Sequence, residues 1–241
     1  MKKLILTTTA LALSAGMAFA GSHAMTVRMG TEGAYPPYNY INDKGEVDGF
    51  ERELGDELCK RAELKCEWVT NDWDSIIPNL VSGNYDTIIA GMSITEERKE
   101  QIDFSEAYTQ PDPSAYVALS ADVDLSSAVI AAQANTTQAA FIAESSAELL
   151  EFATADEALA AVVNGEADAV LAEHASLVDY VAANDALMFL EKRELIGGGI
   201  GMGIRKSDTE LRAKFDAAIQ SMKADGTLNA LITKWEIGDT F

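Results

Sequence analysis

One helix–glycine–strand unit occurs twice in this chain, and that repetition limits the fold more than any other feature. Asp74…Leu80-Val81-Ser82-Gly83-Asn84-Tyr85-Asp86-Thr87-Ile88-Ile89-Ala90-Gly91 aligns with Asp156…Val162-Val163-Asn164-Gly165-Glu166-Ala167-Asp168-Ala169-Val170-Leu171-Ala172-Glu173. Asp74 and Asp156, Gly83 and Gly165, and Asp86 and Asp168 are separated by one common interval. Each copy reads as a helix, a glycine able to take the left-handed cap, then a short apolar strand. A duplicated α/β unit predicts two similar lobes. Ligands in open α/β sheets sit beyond the strand carboxyl ends, so a cleft between the lobes sets Gly91 to Ser93 opposite Glu173.

The remaining pattern agrees. Val27-Arg28-Met29-Gly30 and Glu67-Trp68-Val69 are strand-like, and Phe50, Leu54 and Leu58 recur at helical spacing. Ser207-x-x-Glu210 has the form of a capping box ahead of Leu211, Phe215, Ala218, Ile219 and Met222. Leu228, Leu231, Ile232 and Trp235 mark a last helix. This βαβα rhythm predicts mainly parallel sheets with helices on both faces. Gln110-Pro111-Asp112-Pro113-Ser114 and Gly197-Gly198-Gly199 are the strongest interior breaks. They bracket 113–199 as an inserted lobe, with 26–112 and 200–241 forming the other, and two crossings suit a hinge.

The chemistry concentrates in Ala90-Gly91-Met92-Ser93-Ile94-Thr95-Glu96-Glu97-Arg98. A buried strand turns through small residues into a helix start, whose first-turn acids match the positive dipole end. Such a turn leaves backbone groups and the Ser93 hydroxyl free to bind. Arg98, one turn in, adds a planar fork suited to a carboxylate.

Composition bounds the class. Lys2 and Lys3, the apolar run Leu4 to Met17 and Ala18-Phe19-Ala20 form a cleavable leader over 1–20, too short in its apolar core to span a bilayer. Gly21-Ser22-His23-Ala24-Met25 resembles a cloning scar, 21–25, and leaves His174, read as structural. From Thr26 onward the chain suffices for two lobes of about a hundred residues each. The formal charge of −21 offers no basic stripe for a phosphate backbone, which excludes nucleic acid. Cys59 and Cys66 lie close together in an exported chain, which argues for a disulfide. A metal site is the alternative, and two cysteines with one distant histidine make a poor ligand set.

The sequence resembles the extracytoplasmic solute-binding proteins of polar amino-acid importers, above all the lysine/arginine/ornithine-, histidine- and arginine-binding members. The resemblance rests on Gly30-Thr31-Glu32-Gly33-Ala34-Tyr35-Pro36-Pro37-Tyr38, Gly49-Phe50-Glu51, Leu58-Cys59-Lys60-Arg61…Lys65-Cys66 and Asp72-Trp73-Asp74-Ser75-Ile76-Ile77-Pro78. It continues through Ala90 to Arg98, Asp103-Phe104-Ser105 and Asp225-Gly226-Thr227. It implies an α/β, two-lobed periplasmic binding protein fold with a ligand cleft between lobes joined by two hinge crossings. By the same resemblance Arg98 takes the α-carboxylate of an amino acid, helped by backbone N–H groups at Thr136 and Thr137. Ser93 and Glu173 take the α-ammonium, Glu173 standing where many members carry aspartate. Asn135 replaces the usual glycine of the second-lobe turn and tolerates positive φ. Glu32 meets a distal cation, and Tyr35 and Trp73 sandwich its stem. Ala90 and Gly91 line the same wall without the hydroxyls some members carry there. Asp74 is either a helix N-cap or a contact.

The expected function is therefore capture of a free basic L-amino acid (lysine, arginine or ornithine) in the periplasm and its delivery to an inner-membrane ABC permease, by a monomer with no catalytic residue, no metal and no cofactor. A glutamine, opine or other polar amino-acid ligand is the alternative within the class. An exported prephenate or arogenate dehydratase, with Glu173 as general acid, is the alternative outside it.

Overall fold

The computed structural model describes residues 26–241; the leader and scar readings, 1–20 and 21–25, lie outside the described residues. The chain opens with β1 (Thr26–Thr31), the small antiparallel sheet β2 (Ala34–Tyr35), β3 (Asn39–Ile41) and β4 (Val47–Asp48), then α1 (Phe50–Arg61) and β5 (Lys65–Thr70). A 3-10 turn at Trp73–Ser75 leads into α2 (Ile76–Val81), β6 (Thr87–Ile88), α3 (Glu96–Gln101) and β7 (Asp103–Phe104). Next come β8 (Ser114–Ala118), β9 (Val129–Gln133), α4 (Thr137–Ala143), β10 (Glu148–Phe152), α5 (Ala155–Asn164), β11 (Ala169–Glu173), α6 (His174–Ala183) and β12 (Met188–Glu194). The chain ends with β13 (Gly203–Ile204), α7 (Thr209–Ala224) and α8 (Thr227–Lys234).

Two five-stranded sheets result, ordered β5-β1-β6-β13-β7 and β10-β9-β11-β8-β12. In each, the first three strands run parallel, the fourth runs against them, and the fifth, antiparallel to the fourth, runs with the first three. The expectation of mainly parallel sheets thus holds for only half of the pairings. Alternation of strand and helix dictates the parallel half. Only the fourth strand of each sheet, β13 in one lobe and β8 in the other, runs against the rest, and each is the first strand after a crossing.

The duplicated aspartates have a shared mechanical role. Asp86, just before β6, accepts from the Arg28 backbone N–H of β1 at 2.9 Å. Asp168, just before β11, accepts from the Val129 backbone N–H of β9 at 2.8 Å. Each carboxylate locks the entry of a central strand to its parallel neighbour. Gly165 takes the left-handed cap of α5, φ 76, and Gly83, φ 82, does the same beyond α2.

Two core clusters underlie each sheet. Phe50, Leu54, Leu58, Phe215 and Ile219 join α1 and α7 beneath the first, while Trp73, Ile76, Leu80 and Tyr85 fill its other face. Small residues dominate the second lobe, with Ala115, Val117, Ala131, Ala158 and Val162 packing α5 onto the strands. Cys59 and Cys66 form a disulfide between α1 and β5, which removes both sulfurs from the metal-site alternative. No helix among the described residues is long and apolar enough to cross a membrane.

One expectation fails locally. Ser207 makes no capping box: α7 begins at Thr209 with Asp208 at the N-cap and no side-chain cap bond. The Ser207 hydroxyl instead donates to Asp208 at 2.8 Å, and Asp208 pairs with Arg205 at 2.6 Å. The true capping box is Thr154 with Glu157 on α5, the same S/T-x-x-E pattern without a competing arginine.

Candidate ligand cleft between the lobes

A cavity enclosing about 660 Å³, open mouth included, lies between the carboxyl ends of the two sheets. Glu32, Tyr35, Trp73, Ala90, Gly91, Ser93 and Arg98 line it from the first lobe, and Thr136, Thr137 and Glu173 from the second. All ten residues singled out in the sequence therefore lie on one surface.

Thr95 caps α3, its hydroxyl accepting from the Arg98 backbone N–H at 3.2 Å, which fixes the side chain one turn in. The Arg98 guanidinium donates to Ser93 O at 2.8 Å and, across the cleft, to Asn135 O at 3.2 Å. It lies 5.3 Å from the centre of the Trp73 ring and is only 9% exposed. Among the described residues it joins no salt bridge. Burial lowers its pKa, opposed by the charges of Glu173 and Glu97. A buried cation whose donors reach only carbonyls is an open invitation to an anion.

The facing turn is built to help. Asn135 takes φ 57, the left-handed conformation expected of it. Thr136 caps α4 by accepting from Ala139 N at 3.1 Å while donating to Gln133 O at 2.7 Å. The first amides of α4 have no intrahelical acceptor and open on the cleft rim.

Glu32 lines the same cavity. Burial pushes its carboxyl up to about 7, against a hydrogen bond from Gln133, and the charges of Asp156, Asp72 and Asp74 add to the rise. Gln133 Nε2 supplies that bond at 2.6 Å and also reaches Ala153 O at 3.1 Å. Tyr35 stacks on Tyr38, centroids 5.5 Å apart, and its hydroxyl donates to Glu173 across the cleft. Asp74 is no N-cap; it accepts from the Asn135 amide at 3.0 Å, a further contact between lobes. His174 packs on the Phe189 ring at 4.8 Å.

Sequence reasoning missed Gln133, Gln138, Ser176 and Tyr180, which line the second-lobe wall. Gln133 and Gln138 flank the second-lobe turn that carries Asn135, Thr136 and Thr137, and their polarity beside a β-strand end is the available signal. Ser176 and Tyr180 belong to α6, whose cleft-facing side no periodicity in the sequence distinguishes.

The whole described chain fits known relatives. Residues 27–239 match the bacterial extracellular solute-binding proteins, family 3, and the chain belongs to that family. It is 31% identical over 261 residues to the lysine/arginine/ornithine-binding periplasmic protein of Escherichia coli strain K12, covering 98% of this chain and 97% of the relative. The fold matches a periplasmic His/Glu/Gln/Arg/opine family-binding protein from Silicibacter pomeroyi, solved in complex with lysine. That match has a TM-score of 0.87 and 67% identity, over 89% of this chain and 99% of the other. It also matches an ancestral amino acid-binding protein, a precursor of cyclohexadienyl dehydratase, with a TM-score of 0.77 and 31% identity over 87% and 95%.

Proposed function

We propose that this protein captures a basic L-amino acid, with lysine the first candidate and arginine and ornithine next, and passes it to an inner-membrane ABC permease from the periplasm. One observation carries the reading: among the described residues a buried guanidinium with no acidic partner and a half-buried carboxyl with no cationic one face the same cleft, which Tyr35 and Trp73 also line. A zwitterion with a cationic side chain satisfies both ends at once. Its α-carboxylate meets Arg98 and the α4 amides, its α-ammonium meets Ser93 and Glu173, and its distal cation meets Glu32 between Tyr35 and Trp73. The lysine held by the Silicibacter pomeroyi relative supports that order of candidates. Segments 26–112 and 200–241 serve as one lobe and 113–199 as the other, closing on the ligand as a monomer through the two crossings.

Native mass spectrometry of freshly purified protein, followed by calorimetric titration with lysine, arginine, ornithine, histidine and glutamine, tests the proposal. Retained or added basic amino acids should bind far better than glutamine. Equal binding of all five would remove Glu32 from the ligand-selecting role. The dehydratase-precursor relative gives a second, enzymatic reading with Glu173 as acid; phenylpyruvate formation from prephenate is its test, and none is expected.

A further inference from the structure

Glu51 lies in the first turn of α1, fully buried, and among the described residues pairs with no cation. Three donors converge on its carboxylate. Oε1 accepts from the Gly91 backbone N–H at 2.7 Å and from the Tyr108 hydroxyl, and Oε2 accepts from Asn39 Nδ2 at 2.7 Å. Asn39 in turn accepts from the Gly33 backbone N–H at 2.7 Å, next to Glu32. Tyr108 lies just before the first crossing and donates its own N–H to Ile200 O, just after the second, at 2.8 Å. Gly91 takes φ 62, and a Cβ there would stand 3.2 Å from the Tyr35 ring.

We propose that Glu51 is a positioning residue for the cleft: one buried carboxylate sets the Gly91 turn directly and the Glu32 loop through Asn39. Two segments of the first-lobe wall therefore share a single anchor that also holds Tyr108, next to the first crossing. A trans peptide directs its N–H and C=O oppositely, so holding the Gly91 N–H toward the core turns the Ala90 carbonyl away from it. A carboxylate alone supplies the acceptors this cluster needs. Glutamine presents an NH2 to at least one group that can only donate, and a buried donor left facing a donor is costly.

The inference rests on reading the cleft as an amino-acid site, and its test separates the two. Glu51→Gln should weaken both lysine and arginine at least tenfold by calorimetry. In nitrogen–proton correlation spectra of the ligand-free protein, the Gly91 amide proton should move upfield in the variant while signals of β8 to β12 stay in place. Tyr108→Phe removes one O–H and keeps the ring; it should shift the Gly91 signal and weaken lysine measurably if Glu51→Gln proves too unstable to study. Lysine and arginine affinities within twofold of the parent in these variants, or an unmoved Gly91 signal, overturn the proposal. If the parent binds neither amino acid, the basic-ligand reading fails, and the Gly91 signal still decides the role of Glu51.

Discussion

In the proposed reading Arg98 and Glu32 meet the two charged ends of one molecule. Removing Arg98 leaves the ligand carboxylate unpaired in a desolvated site, a loss of about 3–5 kcal/mol, or a hundredfold and more in affinity. Arg98→Ala should thus abolish binding of every amino acid tested, and a calorimetric loss below tenfold contradicts the assignment. Glu32→Gln keeps the shape and removes the charge; lysine and arginine should weaken at least tenfold while glutamine holds or improves. The raised Glu32 pKa adds a pH signature. With the carboxyl neutral below about 7, a distal cation gains nothing from it, so lysine affinity should fall as pH drops from 8 to 6. Binding near neutrality should release protons, read by titrating in buffers of different ionisation enthalpy, and Glu32→Gln should lose both effects. For folding the sign is opposite: the group favours the ligand-free fold below its ordinary value and loses that contribution as pH rises through about 7. Most cleft-lining residues of the first lobe were legible in the sequence because they sit in short turns dense with glycine, proline and aromatics. Glu51 was visible only as one letter of a motif, since its three donors come from segments far apart in the chain.

Elements were legible wherever one local signal acted alone. Phe50, Leu54 and Leu58 are all fully buried along α1, as their spacing requires. The signal failed at Ser207, where an arginine two residues earlier took hold of Asp208 and left the serine nothing to cap. Strand direction also escaped, because β8 and β13, the first strand after each crossing, take their reversed sense from the crossings and not from local pattern. A paired substitution exposes the capping difference. Thr154→Ala should cost about 1 kcal/mol in urea unfolding, and Ser207→Ala close to nothing. The duplicated strand lock is heavier. Burial alone would raise the Asp86 carboxyl, yet hydrogen bonds from the Arg28 side chain and backbone and from Arg205 bring it down to about 2. Asp86→Ala should destabilise by about 2–3 kcal/mol, measured the same way. The contribution of Asp86 is present above the ordinary aspartate range and disappears as pH falls toward 2.

At the scale of the molecule, polar bonds already cross the cleft: Arg98 to Asn135, Gln133 to Glu32, Asn135 to Asp74 and Tyr35 to Glu173. They involve some of the groups a ligand would engage, so a bound amino acid would exchange these bonds for its own contacts to both lobes. Hinge closure should appear in small-angle scattering as a radius of gyration that shrinks when lysine is added. The duplicated unit made two lobes legible, but no sequence pattern reveals which side chains meet across the gap. The order in which the chain is made has its own bearing. β13, near the end of the chain, is inserted between β6 and β7, while β8 to β12 form a sheet from one unbroken stretch. A polypeptide emerging amino end first can finish its second sheet while the first still has a missing rung. Pulse-labelled hydrogen exchange during refolding should therefore find β9 and β11 protected before β6 and β7, and a binding-competent pocket should arise only once Gly203 and Ile204 have been delivered.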